Sequence, residues 1–92
     1  MDDSVTENPA AHRFEMAIGD TIAAAYYSLE DGKVVLTHTE VPEQFSGQGL
    51  GSKLAAAVFG LIRESGRKAV IRCPFMAGWV SRHPEVEDLI VS

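Results

Sequence analysis

Ninety-two residues and 9.9 kDa suffice for one compact domain and are too few for two. With 46% apolar and 23% charged residues the chain is too hydrophobic to be disordered and too polar to live in a bilayer, and its longest apolar stretch, Leu54 to Leu61, is far short of a membrane span. Thirteen acids against eight bases leave a net charge of -5, which disfavours nucleic acid and anionic lipid as partners.

A single cysteine cannot close an internal disulfide, and Met1 is followed by Asp2 and Asp3 rather than by the basic and apolar regions of a signal peptide, so a cytoplasmic location is expected. Residues 1–11 carry acids, Asn8 and Pro9 without an apolar period and read as a flexible N-terminal segment ahead of a single domain over 12–92. From Arg13 the pattern alternates, with Phe14, Met16 and Ile18 on one side, which predicts a half-buried strand. Gly19-Asp20 is the sequence of a type II′ hairpin turn, since glycine accepts the positive φ of the first central position. A second strand, Thr21 to Leu29, reaches the other favoured two-residue turn, Asp31-Gly32, and a third runs from Lys33 to Val41. Ala23 to Ala25 would suit a helix on propensity alone, but two turns so close together leave little room for one.

Pro42 cannot donate to a sheet ladder and ends the third strand before the glycine cluster Gly47-Gln48-Gly49-Leu50-Gly51. A helix from about Gly49 to about Ser65 follows, because Leu50, Leu54, Val58, Leu61 and Ile62 form a stripe of helical period. Gly66 supplies its stop, and Arg63, Arg67 and Lys68 suit the negative pole of its dipole. A short strand spans Ala69 to Cys73, and Phe75 to Arg82 makes a second short helix ended by His83-Pro84. Val86 to Val91 packs back as a last turn or as an edge segment. The fold class is thus α/β in the α+β sense: an antiparallel β-meander with a central helix, a short strand and a second short helix.

The glycine cluster is the most informative feature. A strand feeding a glycine-rich loop that opens a helix turns backbone N–H groups toward one point, where the helix N-terminus adds about half a positive charge, a setting that attracts phosphate. The alternative is a loop that needs glycine only for its bends. Two familiar phosphate fingerprints fail: G-x-G-x-x-G from Gly47 would need glycine at Ser52, and Gly51-Ser52-Lys53 has the wrong order for a Walker loop.

The residues instead resemble the acetyl-coenzyme A loop of the GCN5-related N-acetyltransferases, Gln/Arg-x-x-Gly-x-Gly/Ala between a strand ending in Val-Pro and a long helix. Val41-Pro42 and Gly47-Gln48-Gly49-Leu50-Gly51-Ser52-Lys53 stand in those places. His38-Thr39-Glu40-Val41-Pro42, Cys73-Pro74-Phe75 and Arg82-His83-Pro84-Glu85 resemble motifs of the small stand-alone branch, and with Arg13-Phe14-Glu15 the likeness extends from about Asn8 onward. Two departures stand out: Ser46 occupies the usual Gln/Arg place, and the loop after Pro42 is one residue longer. The N-terminal helices with which larger relatives shape an acceptor pocket have no counterpart before Arg13.

The resemblance implies an acetyl-CoA-dependent N-acetyltransferase acting on an unidentified amine, on a small molecule or a protein. A non-catalytic coenzyme A-binding or protein-interaction module on the same fold is the alternative. It implies cofactor contacts from Val41, Gly47, Gln48, Gly49, Leu50, Gly51, Ser52 and Lys53. The catalytic candidates are His38 and Glu40, two apart on one strand face and able to accept the amine's proton, and Cys73, able to take the acetyl group or to serve as small apolar filler. His83 suits a helix stop better than a catalytic role. Tyr26, Tyr27, Phe75 and Trp79 suit core packing better than a binding pocket. No metal is expected, since His12, His38, His83 and Cys73 show no ligand spacing.

Overall fold

The computed structural model describes residues 5–45 and 49–91. Five strands, β1 (Val5–Asn8), β2 (Arg13–Ile18), β3 (Thr21–Glu30), β4 (Lys33–Glu40) and β5 (Ala69–Ile71), lie side by side in chain order. Neighbours are antiparallel except β4 and β5, which are parallel. Such a pair needs a crossover, here the helix α1 (Leu50–Glu64), and α2 (Pro74–Ser81) follows β5. Both hairpins turn where expected: Gly19 has φ 57 while Asp20 stays negative, as in type II′, whereas Asp31 and Gly32 at φ 53 and 77 are both positive, as in type I′.

The segment before Arg13 departs from expectation. It is not a structureless lead-in through Ala11: β1 pairs with β2, Val5 is buried opposite Met16, and a single 3-10 turn at Pro9–Ala11, capped by the Asn8 side chain, links them. The bond that fixes β1 is distant in sequence. Glu7 accepts hydrogen bonds from Tyr27 Oη and from both terminal nitrogens of Arg67, which stands just beyond α1. Burial works to raise the Glu7 carboxyl, but Arg67 and Tyr27 outweigh it and hold it below the ordinary carboxylate range. Burial and Glu7 together push the Tyr27 phenol up to about 12.

One core lies between a single face of the sheet and both helices. The buried α1 residues are Leu54, Ala55, Val58, Phe59 and Ile62, while Leu50 and Leu61 of the expected stripe pack at its margin. Ala23 and Ala25 are buried on the same sheet face, small side chains that let the helix approach closely. α1 ends in a Schellman motif: the Gly66 N–H donates to Arg63 and the Arg67 N–H to Ile62, with Gly66 at φ 76. After α2 a 3-10 stretch, Pro84–Leu89, brings the tail beside β5, where Ile90 bridges Ala69, so the tail is both turn and edge segment. No helix among the described residues is long and apolar enough to cross a membrane.

Candidate functional site

The two halves of β4 have different surroundings. Val34, Val35 and Leu36 pair with Ala69, Val70 and Ile71, and the Arg72 N–H still donates to the Leu36 carbonyl. Beyond that point β5 gives way to α2, while β4 continues to Glu40 and the chain to Val41. Among the described residues no strand pairs with this last stretch on the β5 side. Its edge therefore presents backbone donors and acceptors that a ligand can satisfy.

A bulge sits at the same transition. Tyr26 pairs with His38 but Tyr27 with Leu36, which leaves Thr37 as the extra residue, its hydroxyl donating to the Tyr26 carbonyl at 3.3 Å. An extra residue inverts the alternation that follows it. Thr39, opposite the core residue Ala25, consequently turns to the helix-bearing face, and its Oγ1 lies 3.3 Å from Cys73 Sγ. His38 and Glu40 turn to the opposite face, which no helix among the described residues covers. They do share a face, with His38 Nε2 and Glu40 Oε2 3.1 Å apart and both side chains about 60% exposed. The sequence candidates thus fall into two groups on opposite sides of one strand: Cys73, which is 3% exposed, and the His38–Glu40 pair.

The pair terminates a polar row running across four strands. Asn8 and Arg13 donate to Glu15, the Arg13 guanidinium lies 5.8 Å from the centre of the Tyr26 ring and donates to its hydroxyl, and Tyr26 stacks on His38 at 5.9 Å. The hydrogen bonds from Arg13 and then Asn8 hold the Glu15 carboxyl low, and Glu15 in turn raises Arg13. Next to this row, where β3 runs on past the end of β4, Thr21, Ile22, His38, Thr39, Glu40, Val41 and Pro42 enclose an open pocket of about 560 Å³.

Of the expected cofactor contacts, Gly47 and Gln48 lie outside the described residues. Gly49 is the N-cap of α1 at φ 75, a left-handed position suited to glycine, and no side chain caps the helix. By helix geometry the first-turn N–H groups of Leu50, Gly51 and Ser52 have no acceptor within the helix, and no acid stands in that turn. Gly51 also has a packing reason to be glycine, since a Cβ there would come within 2.8 Å of the half-exposed Phe75 ring. Ser52 Oγ accepts from Trp79 Nε1 at 2.9 Å, which ties α1 to α2, and Lys53 is exposed. Val41 is half-buried against the core margin.

Tyr27 and Trp79 are core residues, whereas Tyr26 belongs to the exposed row. His83 stacks on Trp79 at 3.8 Å and lies 3.0 Å from Glu85, its partners being those rather than Cys73. Thr39 and the Thr37 bulge are the features that sequence reasoning missed. Thr39 lay inside a motif already quoted, while the bulge has no glycine or proline to announce it.

A family model described as GCN5-related N-acetyl-transferase matches residues 13–89. Protein NATD1 of Xenopus tropicalis is 37% identical over 51 residues, 55% of this chain and 47% of that protein. The human protein of the same name is 35% identical over 51 residues, 55% and 45% of the two chains. The match thus spans about half the length of these curated relatives. The solution structure of a GCN5-like protein from Staphylococcus aureus superposes with a TM-score of 0.73 at 21% identity, covering 99% of this chain and 90% of that one.

Proposed function

The chain belongs to the GCN5-related N-acetyltransferase family, and on that premise we propose that it binds acetyl-CoA along the free edge of β4 and transfers the acetyl group to an amine. The observation that carries this reading is the stretch from Thr37 to Val41, whose β5-side edge has no strand partner among the described residues and whose chain continues to the uncapped, acid-free N-terminus of α1. The residues present fit such a ligand. The first-turn N–H groups of α1 suit a diphosphate, Gly49 has open space about it, and exposed Lys53 adds positive charge nearby. Acetyl-CoA supplies a thioester whose carbonyl carbon is open to attack by nitrogen.

The chain's own contribution is to orient and to move protons. Unpaired N–H groups on the β4 edge suit a carbonyl oxygen on which negative charge develops. The His38–Glu40 pair suits removal of the amine's proton. Cys73 has Thr39 as its side-chain partner and lies across the strand from His38, so among the described residues no adjacent base activates its thiol as a nucleophile. Direct transfer to the amine is the better supported route, with Cys73 and Thr39 forming a wall.

The test is thermal denaturation with and without coenzyme A, followed by an acetyl-transfer assay of the chain and of Cys73→Ser. Coenzyme A at a hundred times its dissociation constant is expected to add about 2.7 kcal/mol, and Cys73→Ser to keep most of the transfer activity. A melting curve indifferent to coenzyme A overturns the binding reading, and loss of transfer in Cys73→Ser with an acetyl adduct on the unaltered chain overturns direct transfer.

A further inference from the structure

Resting on the acetyl-transfer reading, we propose that Tyr26 and Arg13 are positioning residues for His38: together they fix the plane of its imidazole, in which Nδ1 is the atom that accepts the proton. Register brings them together. Asn8, Arg13, Tyr26 and His38 stand directly opposite one another on β1, β2, β3 and β4, and side chains so placed on one sheet face lie within contact distance. The bulge at Thr37 is what puts His38 into this row, since without the extra residue Thr37 itself would stand opposite Tyr26.

His38 needs such a brace, because its side chain is 59% exposed and surrounding core does not select its rotamer. Glu40 supplies one constraint by holding Nε2 at 3.1 Å. A carboxylate can only accept, so Nε2 of the neutral ring carries the hydrogen and the lone pair is left on Nδ1, which has no hydrogen-bond partner among the described residues. One hydrogen bond still lets the ring turn about it. The Tyr26 ring removes that freedom, its centre 5.9 Å from that of the imidazole at an interplanar angle of 24°. Tyr26 is held in turn: the Arg13 guanidinium lies 5.8 Å from its ring centre and is anchored by Glu15, which Asn8 also binds. The Arg13 bond to the Tyr26 hydroxyl is long, at 3.4 Å, and adds less than the contact with the ring. Loss of the hydroxyl alone therefore matters little, and loss of the ring matters much.

The course of the proton follows. It leaves the acceptor nitrogen for Nδ1, Nε2 keeps its own hydrogen toward Glu40, and Nδ1 then passes the proton to solvent. Glu40 sets the tautomer of His38. Tyr26 and Arg13 exchange no proton and act only through the imidazole.

The experiment has two arms. NMR at about pH 9, where an ordinary imidazole is neutral, reads the His38 ring nitrogens and the three-bond couplings that report its χ1. Kinetics compares benzylamine, protonated at neutral pH, with aniline, which needs no base to free its lone pair. The unaltered chain is expected to show hydrogen on Nε2, none on Nδ1, and one His38 rotamer. Tyr26→Leu is expected to average the couplings and to lower kcat with benzylamine about tenfold, while KM for acetyl-CoA stays within about twofold and the aniline rate within about threefold. Tyr26→Phe is expected to keep couplings and rates. Arg13→Met is expected to act in the same direction as Tyr26→Leu, less strongly, and to add nothing to it in the double variant, as befits a residue that works through Tyr26. Should Tyr26→Leu not fold, Arg13→Met carries the same comparison. A single rotamer retained in Tyr26→Leu, hydrogen on Nδ1, or equal losses with benzylamine and aniline overturns the inference and leaves acetyl transfer standing. If neither amine is acetylated and coenzyme A leaves the melting curve unchanged, acetyl transfer fails and the spectra decide alone: one rotamer that Tyr26→Leu averages sustains the positioning, and couplings already averaged in the unaltered chain overturn it.

Discussion

The first and second halves of β4 are consecutive in sequence and have opposite roles. Val34, Val35 and Leu36 are almost wholly buried, hydrogen-bonded to strands on both sides, and act as the centre of the sheet. Among the described residues, Thr37 to Glu40 are paired on one side only and are largely open to solvent. The lesson is that a strand anchored at one end can hold polar groups at the other, so that the buried core and the exposed polar pair reside in different residues of one element.

That separation can be broken most severely at Leu36. Leu36→Ala removes a fully buried side chain from the anchored half and is expected to cost about 3 kcal/mol in urea denaturation, within the usual range for core truncations. A smaller effect is expected one strand over, where Tyr27 pairs with Leu36 and donates to Glu7. Glu7→Gln is expected to cost about 1 kcal/mol at neutral pH, less than a fully buried charged hydrogen bond because the group sits at the rim. The sign with pH follows from a folded carboxyl held below its ordinary 4.5. The stabilisation is complete above that value and is lost as pH falls through the lowered folded value, so the melting curves of the two proteins should converge in acid. The least stability change belongs to the free half. His38→Ala is expected to alter unfolding by less than about 0.5 kcal/mol while lowering acetyl transfer about a hundredfold, the scale of a lost general base. Equal losses of stability at Leu36 and His38 would dissolve the distinction between the halves.

Much of this frame was legible in the residues because local rules and tertiary packing agree. Gly19-Asp20 and Asp31-Gly32 fix both hairpins within two residues each, and the spacing of Leu54, Val58 and Ile62 fixes the face of α1. β1 was not legible, since four residues with one apolar side chain carry no period, and besides its pairing with β2 it depends on an ion pair to a residue sixty positions away. The common face of His38 and Glu40 follows from strand period alone. That Cys73 stands on the other face does not, because it depends on the inversion at Thr37, which serves the packing of Thr39 and Ala25 and leaves no local mark.

The bond between Trp79 and Ser52 gives the molecule an optical reporter of its own. Trp79 is the chain's single tryptophan, lies parallel to Phe59 and His83, and donates its indole hydrogen to the opening turn of α1. Any event that shifts that turn must alter the indole's environment, and with it the colour or intensity of its fluorescence. Occupancy beside the glycine loop can accordingly be followed by light emission from the unlabelled protein.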